Sequence, residues 1–151
     1  MLRFYIHILL SVFESLTDCK KFMLKSSLKE YLQVDDDGTS LIANGKSSNV
    51  RSSFFIHQIN KGSVNLQSLP SGKYISTNDK EFELIEVSNG TLENQTVFTI
   101  LPQLDGTFML ENLDNKFVFS DDNGLVEISD SPIDNGTWKL ECLEGNAILF
   151  K

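Results

Sequence analysis

One pattern of residues occurs three times in the sequence, and this repetition constrains the fold more than any other feature. Each copy begins with a short stretch that has apolar residues at alternate positions; the three stretches are Phe22-Met23-Leu24, Val64-Asn65-Leu66 and Phe108-Met109-Leu110. Each copy ends near an aromatic residue, which is Phe54, Phe98 or Trp138. The leucines are 42 and 44 residues apart, and the closing aromatic residues are 44 and 40 apart. Because self-similarity at a fixed period of about 20–50 residues marks a repeat architecture, we expect three equivalent structural units.

Each copy contains four short apolar runs, and clusters of Gly, Asn, Asp and Ser separate them. Runs at intervals of about 8–12 residues are typical of all-β proteins. The second runs are Glu30-Tyr31-Leu32, Lys73-Tyr74-Ile75 and Lys116-Phe117-Val118, and the third lie around Leu41-Ile42, Phe82-Glu83-Leu84 and Leu125-Val126-Glu127-Ile128. Four strands in each of three copies predict an all-β β-trefoil with pseudo-threefold symmetry, in which six strands form a barrel and six form capping hairpins. The aromatic residues expected in its core are Phe54, Phe98, Trp138, Tyr31, Tyr74 and Phe117.

The residues before the repeats form a separate segment. Met1 to Phe13 contains one arginine followed by a mostly apolar run, which has the length of a secretory signal core and is shorter than the roughly 20 residues of a membrane-spanning helix. We therefore predict a signal peptide over 1–17 and a single β-trefoil domain over 18–151, with no membrane span in the mature chain. The predicted repeats cover about 18–60, 61–103 and 104–144, and a short extension covers 145–151. The alternative is that the first residues form a buried strand or helix of a cytosolic protein.

The charge and the small number of reactive residues exclude several classes of function. The chain has 13 basic and 21 acidic residues and a formal charge of −8. Nucleic acids, anionic lipids and heparin-like polyanions need surfaces rich in Lys and Arg, so none of them is an expected partner. The 2 His and 2 Cys residues leave few routes to a metal site or to histidine-based catalysis. We therefore expect no enzymatic activity, no cofactor and no metal, with His57 on the polar face of a strand.

Acidic residues collect where hairpin turns are expected, at Asp35-Asp36-Asp37, at Asp121-Asp122 and at Glu141 and Glu144. The runs Asp-Asp-Asp-Gly and Asp-Asp-Asn-Gly are similar to fragments of calcium-binding loops. A calcium loop of the helix–loop–helix type also needs a glutamate at its twelfth position, and neither run satisfies that pattern cleanly. These acids are therefore interpreted as solvated turn residues.

The two cysteines and three glycosylation sequons favour secretion when they are taken together. Cys19 opens the first repeat and Cys142 closes the last one, and a β-trefoil brings its terminal strands together, so the two residues are predicted to form a disulfide. The alternative is two unpaired thiols in a cytosolic protein. Asn89, Asn94 and Asn135 each begin an N-glycosylation sequon.

From Lys20 to Glu144 the chain resembles the β-trefoil superfamily, and two of its branches are suggested. Gly62-Ser63-Val64-Asn65-Leu66 and Ser71-Gly72-Lys73-Tyr74-Ile75-Ser76 resemble the pattern of fascin and hisactophilin, which are cytoplasmic actin-binding β-trefoils. The run from Phe98 through Asp105-Gly106-Thr107-Phe108-Met109-Leu110-Glu111-Asn112 resembles the repeat of ricin-B-type lectins. The strict Q-x-W motif of those lectins is absent, because Ser52, Thr96 and Gly136 stand two residues before the closing aromatic residues.

The lectin resemblance implies a secreted, non-enzymatic binding module, monomeric, that recognises a glycan or a protein surface. By position, the candidate carbohydrate-binding residues of the third copy are Asp121, Asp122 and Asn135, and those of the second copy are Asn78, Asp79 and Gln95. The first alternative is a cytoplasmic fascin-like module that binds F-actin. The second alternative is a cytokine-like ligand that engages a receptor. The fold does not decide among the three, because β-trefoils serve all of these functions.

Overall fold

A computed structural model of the protein describes residues 21–46, 50–77, 82–85, 94–134 and 136–143. The predicted signal peptide over 1–17 and the extension over 145–151 lie outside these residues. So do five of the candidate residues, which are Cys19, Asn78, Asp79, Asn89 and Asn135. No helix in the described part of the chain is both long enough and apolar enough to cross a membrane.

The described residues contain twelve β-strands, four from each predicted repeat. The first repeat contains β1 (Lys21–Ser26), β2 (Tyr31–Val34), β3 (Leu41–Gly45) and β4 (Phe54–Asn60). The second contains β5 (Ser63–Ser68), β6 (Tyr74–Thr77), β7 (Phe82–Ile85) and β8 (Phe98–Pro102). The third contains β9 (Phe108–Asn112), β10 (Phe117–Ser120), β11 (Val126–Ser129) and β12 (Trp138–Cys142). A short 3-10 turn precedes β4 at Val50–Ser52 and β8 at Asn94–Thr96.

The first and last strands of the three repeats form a closed barrel. Strand β1 pairs with β4, β4 with β5, β5 with β8, β8 with β9, β9 with β12, and β12 returns to β1, all antiparallel. Closure removes the exposed edges that an open sheet would present. The register repeats as well, because Leu24 faces Leu140, Ile56 faces Leu66 and Ile100 faces Leu110.

The second and third strands of each repeat form the hairpins β2–β3, β6–β7 and β10–β11. The hairpins meet one another through β3. Ser40 bridges to Glu83, Ile42 bridges to Leu125, and the backbone N–H of Ala43 donates to the carbonyl of Gly124 at 2.7 Å. The three hairpins therefore cover one end of the barrel, and the predicted β-trefoil plan with its three four-stranded repeats is confirmed.

The core consists of equivalent positions from the three repeats. Each of the following residues is at most 2% exposed: Phe22, Val64 and Phe108; Leu24, Leu66 and Leu110; Leu32, Ile75 and Val118; and Phe54, Phe98 and Trp138. The one polar atom among these side chains is satisfied, since the indole N–H of Trp138 donates to the carbonyl of Val118 at 3.0 Å. The sequence pattern thus repeats three times because each repeat contributes equivalent residues to one shared core.

The prediction that Tyr31, Tyr74 and Phe117 belong to that core is wrong. Each of these residues is only partly buried, whereas the residue that follows it (Leu32, Ile75 or Val118) is at most 1% exposed. Successive side chains of a strand point to opposite faces. In the second apolar run of each repeat, the aliphatic residue therefore points inward and the aromatic residue lies on the outer side of the barrel.

The expectation that Glu141 lies in a turn is also wrong. Strand β12 continues through Glu141, which stands opposite Met23 of β1 and is 6% exposed. Its carboxylate accepts a hydrogen bond of 2.6 Å from the Tyr31 hydroxyl and lies 3.7 Å from the Lys25 Nζ. Partial burial and this hydrogen bond raise the pKa of Tyr31 to about 12. The partners on β1 and β2 explain why an acidic residue is tolerated in a buried stretch of strand.

Candidate functional site

A polar cleft of about 210 Å³ lies where the second repeat meets the third. We call it the Gln95 cleft, and it is lined by Thr77, Gln95, Asn112, Leu113 and Asp114. Thr77 ends β6, Gln95 is the middle residue of the 3-10 turn before β8, and the other three belong to the end of β9 and the turn that follows it. Three segments of chain that are separate in sequence therefore contribute to one site.

The turn that carries Gln95 is anchored by a buried asparagine on β5. Asn65 is 1% exposed, and its Nδ2 donates to the Thr96 carbonyl at 2.8 Å and to the Thr96 Oγ1 at 3.3 Å. The equivalent positions in the first and third repeats hold Met23 and Met109. A buried amide is tolerated only when it is hydrogen-bonded, and here it fixes the residue directly after Gln95. The fixed turn leaves the Gln95 side chain exposed.

The opposite wall of the cleft is built by Asn112. Its Oδ1 accepts hydrogen bonds from the backbone N–H groups of Asp114 at 2.9 Å and Lys116 at 3.0 Å, which close the turn between β9 and β10. Its Nδ2 donates to the Thr77 Oγ1 at 3.1 Å. An asparagine side chain that bonds to its own downstream backbone stabilises a tight turn. Asn112 thereby holds the turn residues Leu113 and Asp114 against the end of β6.

The exposed groups of the cleft are an amide, a carboxylate and an apolar side chain. The Gln95 Oε1 lies 3.5 Å from the Ser76 Oγ, which is a long hydrogen bond, and the side chain of Asp114 is exposed. Leu113 is 48% exposed. In the first repeat, Arg51 occupies the position of Gln95 and forms an ion pair with Asp36. The packing of the three repeats therefore does not require an amide at the position of Gln95.

Two candidate residues of the third copy, Asp121 and Asp122, lie in the hairpin turn between β10 and β11. The Asp121 Oδ1 accepts hydrogen bonds from the backbone N–H groups of Asn123 at 2.8 Å and Leu125 at 2.9 Å. Asp122 is exposed in the same turn. Asn135 lies outside the described residues, so a meeting of all three side chains stays a prediction.

The other acidic turns have the same local role. The hydroxyl of Ser40 and the backbone N–H groups of Ser40 and Thr39 donate to Asp37 and lower its pKa to about 2. The Thr107 hydroxyl and backbone N–H likewise lower the pKa of Asp105. The interpretation of Asp37 as a turn residue is confirmed. Within the described ranges, no group of three or more His, Cys, Asp or Glu residues is arranged to hold a metal ion.

Of the second-copy candidates, only Gln95 lies within the described residues, and it lines the cleft. Asn78 and Asp79 follow Thr77 directly in the sequence. Among the sequon asparagines, Asn94 begins the 3-10 turn, while Asn89 and Asn135 lie outside the description. His57 is exposed on β4, as expected, and a ring nitrogen lies 2.7 Å from the Gln67 Oε1.

Cys142 is the last residue of β12 and is buried. It stands opposite Phe22 of β1. The chain contains one other cysteine, Cys19, which precedes Phe22 by three residues. Because Cys19 lies outside the described residues, its pairing with Cys142 stays a prediction.

Sequence reasoning missed Asn65, Asn112 and Asp114, which shape the cleft. Asn65 could have been found, because the aligned triplets Phe22-Met23-Leu24, Val64-Asn65-Leu66 and Phe108-Met109-Leu110 show an amide where the other copies have methionine. Asp114 gives no such signal, since turn residues vary freely among the repeats.

Comparison with solved structures shows which proteins share this fold. The BEL β-trefoil matches with a TM-score of 0.68 at 16% identity, over 82% of this chain and 93% of that chain. SeviL, solved bound to asialo-GM1 saccharide, matches with a TM-score of 0.70 at 9% identity, over 83% and 98%. A GlcNAcα1-4Gal-releasing endo-β-galactosidase from Clostridium perfringens matches with a TM-score of 0.71 at 12% identity, over 83% of this chain but only 33% of that chain.

No protein-family model matches the sequence, and no curated protein matches it. The likeness therefore concerns the fold. Together with the closed six-stranded barrel and its three capping hairpins, it shows that this chain is a β-trefoil, as its resemblance to ricin-B-type repeats implies.

Proposed function

We propose that the protein is a non-enzymatic glycan-binding module and that the Gln95 cleft is its binding site. The observation that carries the proposal is the combination of an exposed amide, an exposed carboxylate and an exposed leucine in one cleft. The saccharide bound to SeviL, a structure with the same fold, supports the ligand class.

The chemistry of the cleft suits a neutral sugar. Vicinal hydroxyl groups are both donors and acceptors of hydrogen bonds. The Asp114 carboxylate can accept two such bonds, and the Gln95 amide can both donate and accept. Leu113 offers an apolar surface for the C–H face of a sugar ring. Hydrogen bonds to a charged group contribute more than neutral ones, about 1.5–3 kcal/mol, so Asp114 is expected to supply most of the affinity.

The lining favours binding over hydrolysis. Glycoside hydrolysis ordinarily uses two carboxyl groups on either side of the scissile bond. Among the described lining residues, Asp114 is the one carboxylate, and His57 forms its hydrogen bond with Gln67 on the barrel wall instead. The proposal of a non-enzymatic module is therefore based on the side chains of the cleft.

Replacing Gln95 and Asp114 together with alanine is expected to weaken glycan binding at least tenfold, because both directional partners of the sugar hydroxyls are lost. A glycan array identifies the ligand, and a calorimetric titration with that ligand measures the change. Both side chains are exposed, so the melting temperature of the double variant is expected to match that of the wild type.

The matched control is Asp122→Ala, which removes an exposed aspartate from a different hairpin turn and should leave affinity unchanged. If Asp122→Ala or Asp121→Ala abolishes binding while the Gln95 and Asp114 double variant retains it, the site belongs to the third copy. If the wild type binds no glycan and co-sediments with F-actin, the actin-binding alternative replaces the lectin proposal.

We also propose that the protein is secreted after cleavage near Thr17. The apolar segment at 1–13, the three sequons and the two cysteines at the ends of the repeats support this proposal. Amino-terminal sequencing of the protein expressed in a eukaryotic host tests this proposal. A start near Asp18 agrees with secretion, and an intact Met1 on cytosolic protein contradicts it.

A further inference from the structure

A second cleft, of about 320 Å³, brings three lysines together on a protein with a formal charge of −8. We call it the lysine cleft, and its basic lining residues are Lys25, Lys29 and Lys139. Lys25 belongs to β1, Lys29 to the turn between β1 and β2, and Lys139 to β12. Hydroxyl-bearing residues complete the wall, among them Thr107 and Thr137. This cleft shares no lining residue with the Gln95 cleft.

Two of these lysines repel each other in the folded protein. Lys25 and Lys139 stand directly opposite on paired antiparallel strands. Like charges at directly opposite positions destabilise a sheet. The equivalent pairs of the other two repeats are Phe55 with Gln67 and Thr99 with Glu111. Packing of the β-trefoil therefore does not require a lysine at either position.

The third lysine occupies a strained backbone position. Lys29 has a φ of +66°, a left-handed conformation that favours glycine or asparagine and is costly for other residues. The equivalent turn residues of the other repeats are Gly72, with a φ of +72°, and Asn115, with a φ of +60°. The first repeat thus places a long cationic side chain where local conformation favours a small or amide residue.

The positive charge of the cleft is only partly neutralised. Lys25 lies 3.7 Å from Glu141, and its Nζ is 5.3 Å from the centre of the Tyr31 ring. Neither Lys29 nor Lys139 forms an ion pair with a carboxylate of the described residues. Thr107, which lines the cleft, donates hydrogen bonds from its backbone N–H and its hydroxyl to Asp105. Within the described residues, one lysine with an ion pair and two without one give the lining of the cleft an excess of positive charge.

We propose that the lysine cleft binds a single tetrahedral oxyanion, the sulfate or phosphate monoester of a small molecule. An anion between the opposed ammonium groups would relieve their repulsion. Lysine acts as a point charge and suits tetrahedral oxyanions, whereas a planar carboxylate is matched better by the fork of arginine. The Thr137 hydroxyl can donate a further hydrogen bond. The overall charge of −8 opposes an extended polyanion, so the ligand carries one such group.

The test is a calorimetric titration with inorganic sulfate and inorganic phosphate at constant ionic strength. The wild type is expected to bind at least one of them saturably. Lys29→Gln and Lys139→Gln should each weaken binding about threefold to fivefold, and the double variant at least tenfold. The matched control is Lys61→Gln, an exposed lysine outside the cleft, which should leave affinity unchanged. Lys25 is not substituted, because its ammonium group also forms an ion pair with the buried Glu141.

Two comparisons complete the design. The affinities of galactose 6-sulfate and galactose 6-phosphate are each compared with that of galactose. The ester that binds more tightly shows whether the ligand is sulfated or phosphorylated. The melting temperature of Lys139→Gln without anion should equal or exceed that of the wild type, because a repulsive pair is removed. The proposal is overturned if the wild type binds neither sulfate nor phosphate. It is also overturned if Lys61→Gln and Lys139→Gln weaken anion binding by the same factor. Binding of a neutral glycan is measured in parallel. A loss of glycan binding at the Gln95 cleft can then be told apart from a loss of anion binding at the lysine cleft.

Discussion

Replacing Phe98 with alanine is expected to lower the free energy of unfolding by about 3–5 kcal/mol, because the removed ring leaves a cavity in a rigid core. Phe98 is fully buried and pairs with Val64 on one side of β8 and with Asn112 on the other. Its loss therefore affects two barrel seams at once. Since small domains are stable by only about 5–15 kcal/mol, this variant should unfold at a clearly lower urea concentration.

The control for this experiment is Phe55→Ala. Phe55 follows the core residue Phe54 in β4 but is only partly buried on the outer face, near the His57 ring. Its removal should lower stability by about 1 kcal/mol, within the range of ordinary partly exposed substitutions. Equal losses for the two phenylalanines would contradict the assignment of Phe98 to the shared core.

Removal of the predicted disulfide is the second change with a large expected effect. A bridge between Cys19 and Cys142 would close a loop of about 120 residues, for which the chain-entropy description gives a stabilisation of about 4–5 kcal/mol. We expect a reductant, or the substitution Cys19→Ser, to lower the free energy of unfolding by a comparable amount. Denaturant titration with and without reductant measures this change in the free energy of unfolding.

The Cys19→Ser variant also serves as the control for the reductant. Its stability should not respond to reduction, whereas that of the wild type should. Two titratable thiols in freshly purified protein from an oxidising compartment, or a midpoint that reductant does not shift, would contradict the predicted pair. In that case the terminal strands would be held by the β1–β12 ladder and the barrel core alone.

The fold could be predicted from the sequence because its core is encoded three times. A buried residue such as Leu66 has two equivalents at matching intervals, and agreement among three copies outweighs any single ambiguous run. The errors were local. The threefold placement of Tyr31, Tyr74 and Phe117 predicts that they are core residues, but strand alternation places the neighbouring Leu32 inside. The position of Glu141 near the end of the last repeat predicts a turn, although pairing with β1 keeps it in a strand.

The candidate sites could be predicted only in part, because binding residues occur in one copy. The position of Gln95, three residues before the closing aromatic residue Phe98, predicts its role. Asn65 and Lys139 are recognisable only as departures from threefold symmetry, and their meaning depends on contacts such as the Asn65–Thr96 hydrogen bonds and the Lys25–Lys139 register. Those contacts join residues more than 30 positions apart, which no local pattern reveals.

The pairing of β1 with β12 also determines how the chain must fold. Phe22 and Cys142 are partners in this ladder although 120 residues separate them. Hairpins such as β10–β11 can form from local contacts, but the ring of strands is incomplete until the last repeat reaches the first. Closing so long a loop is entropically unfavourable before its contacts form, and proteins rich in such contacts fold slowly. We therefore expect refolding on a millisecond-to-second timescale, limited by formation of this one seam.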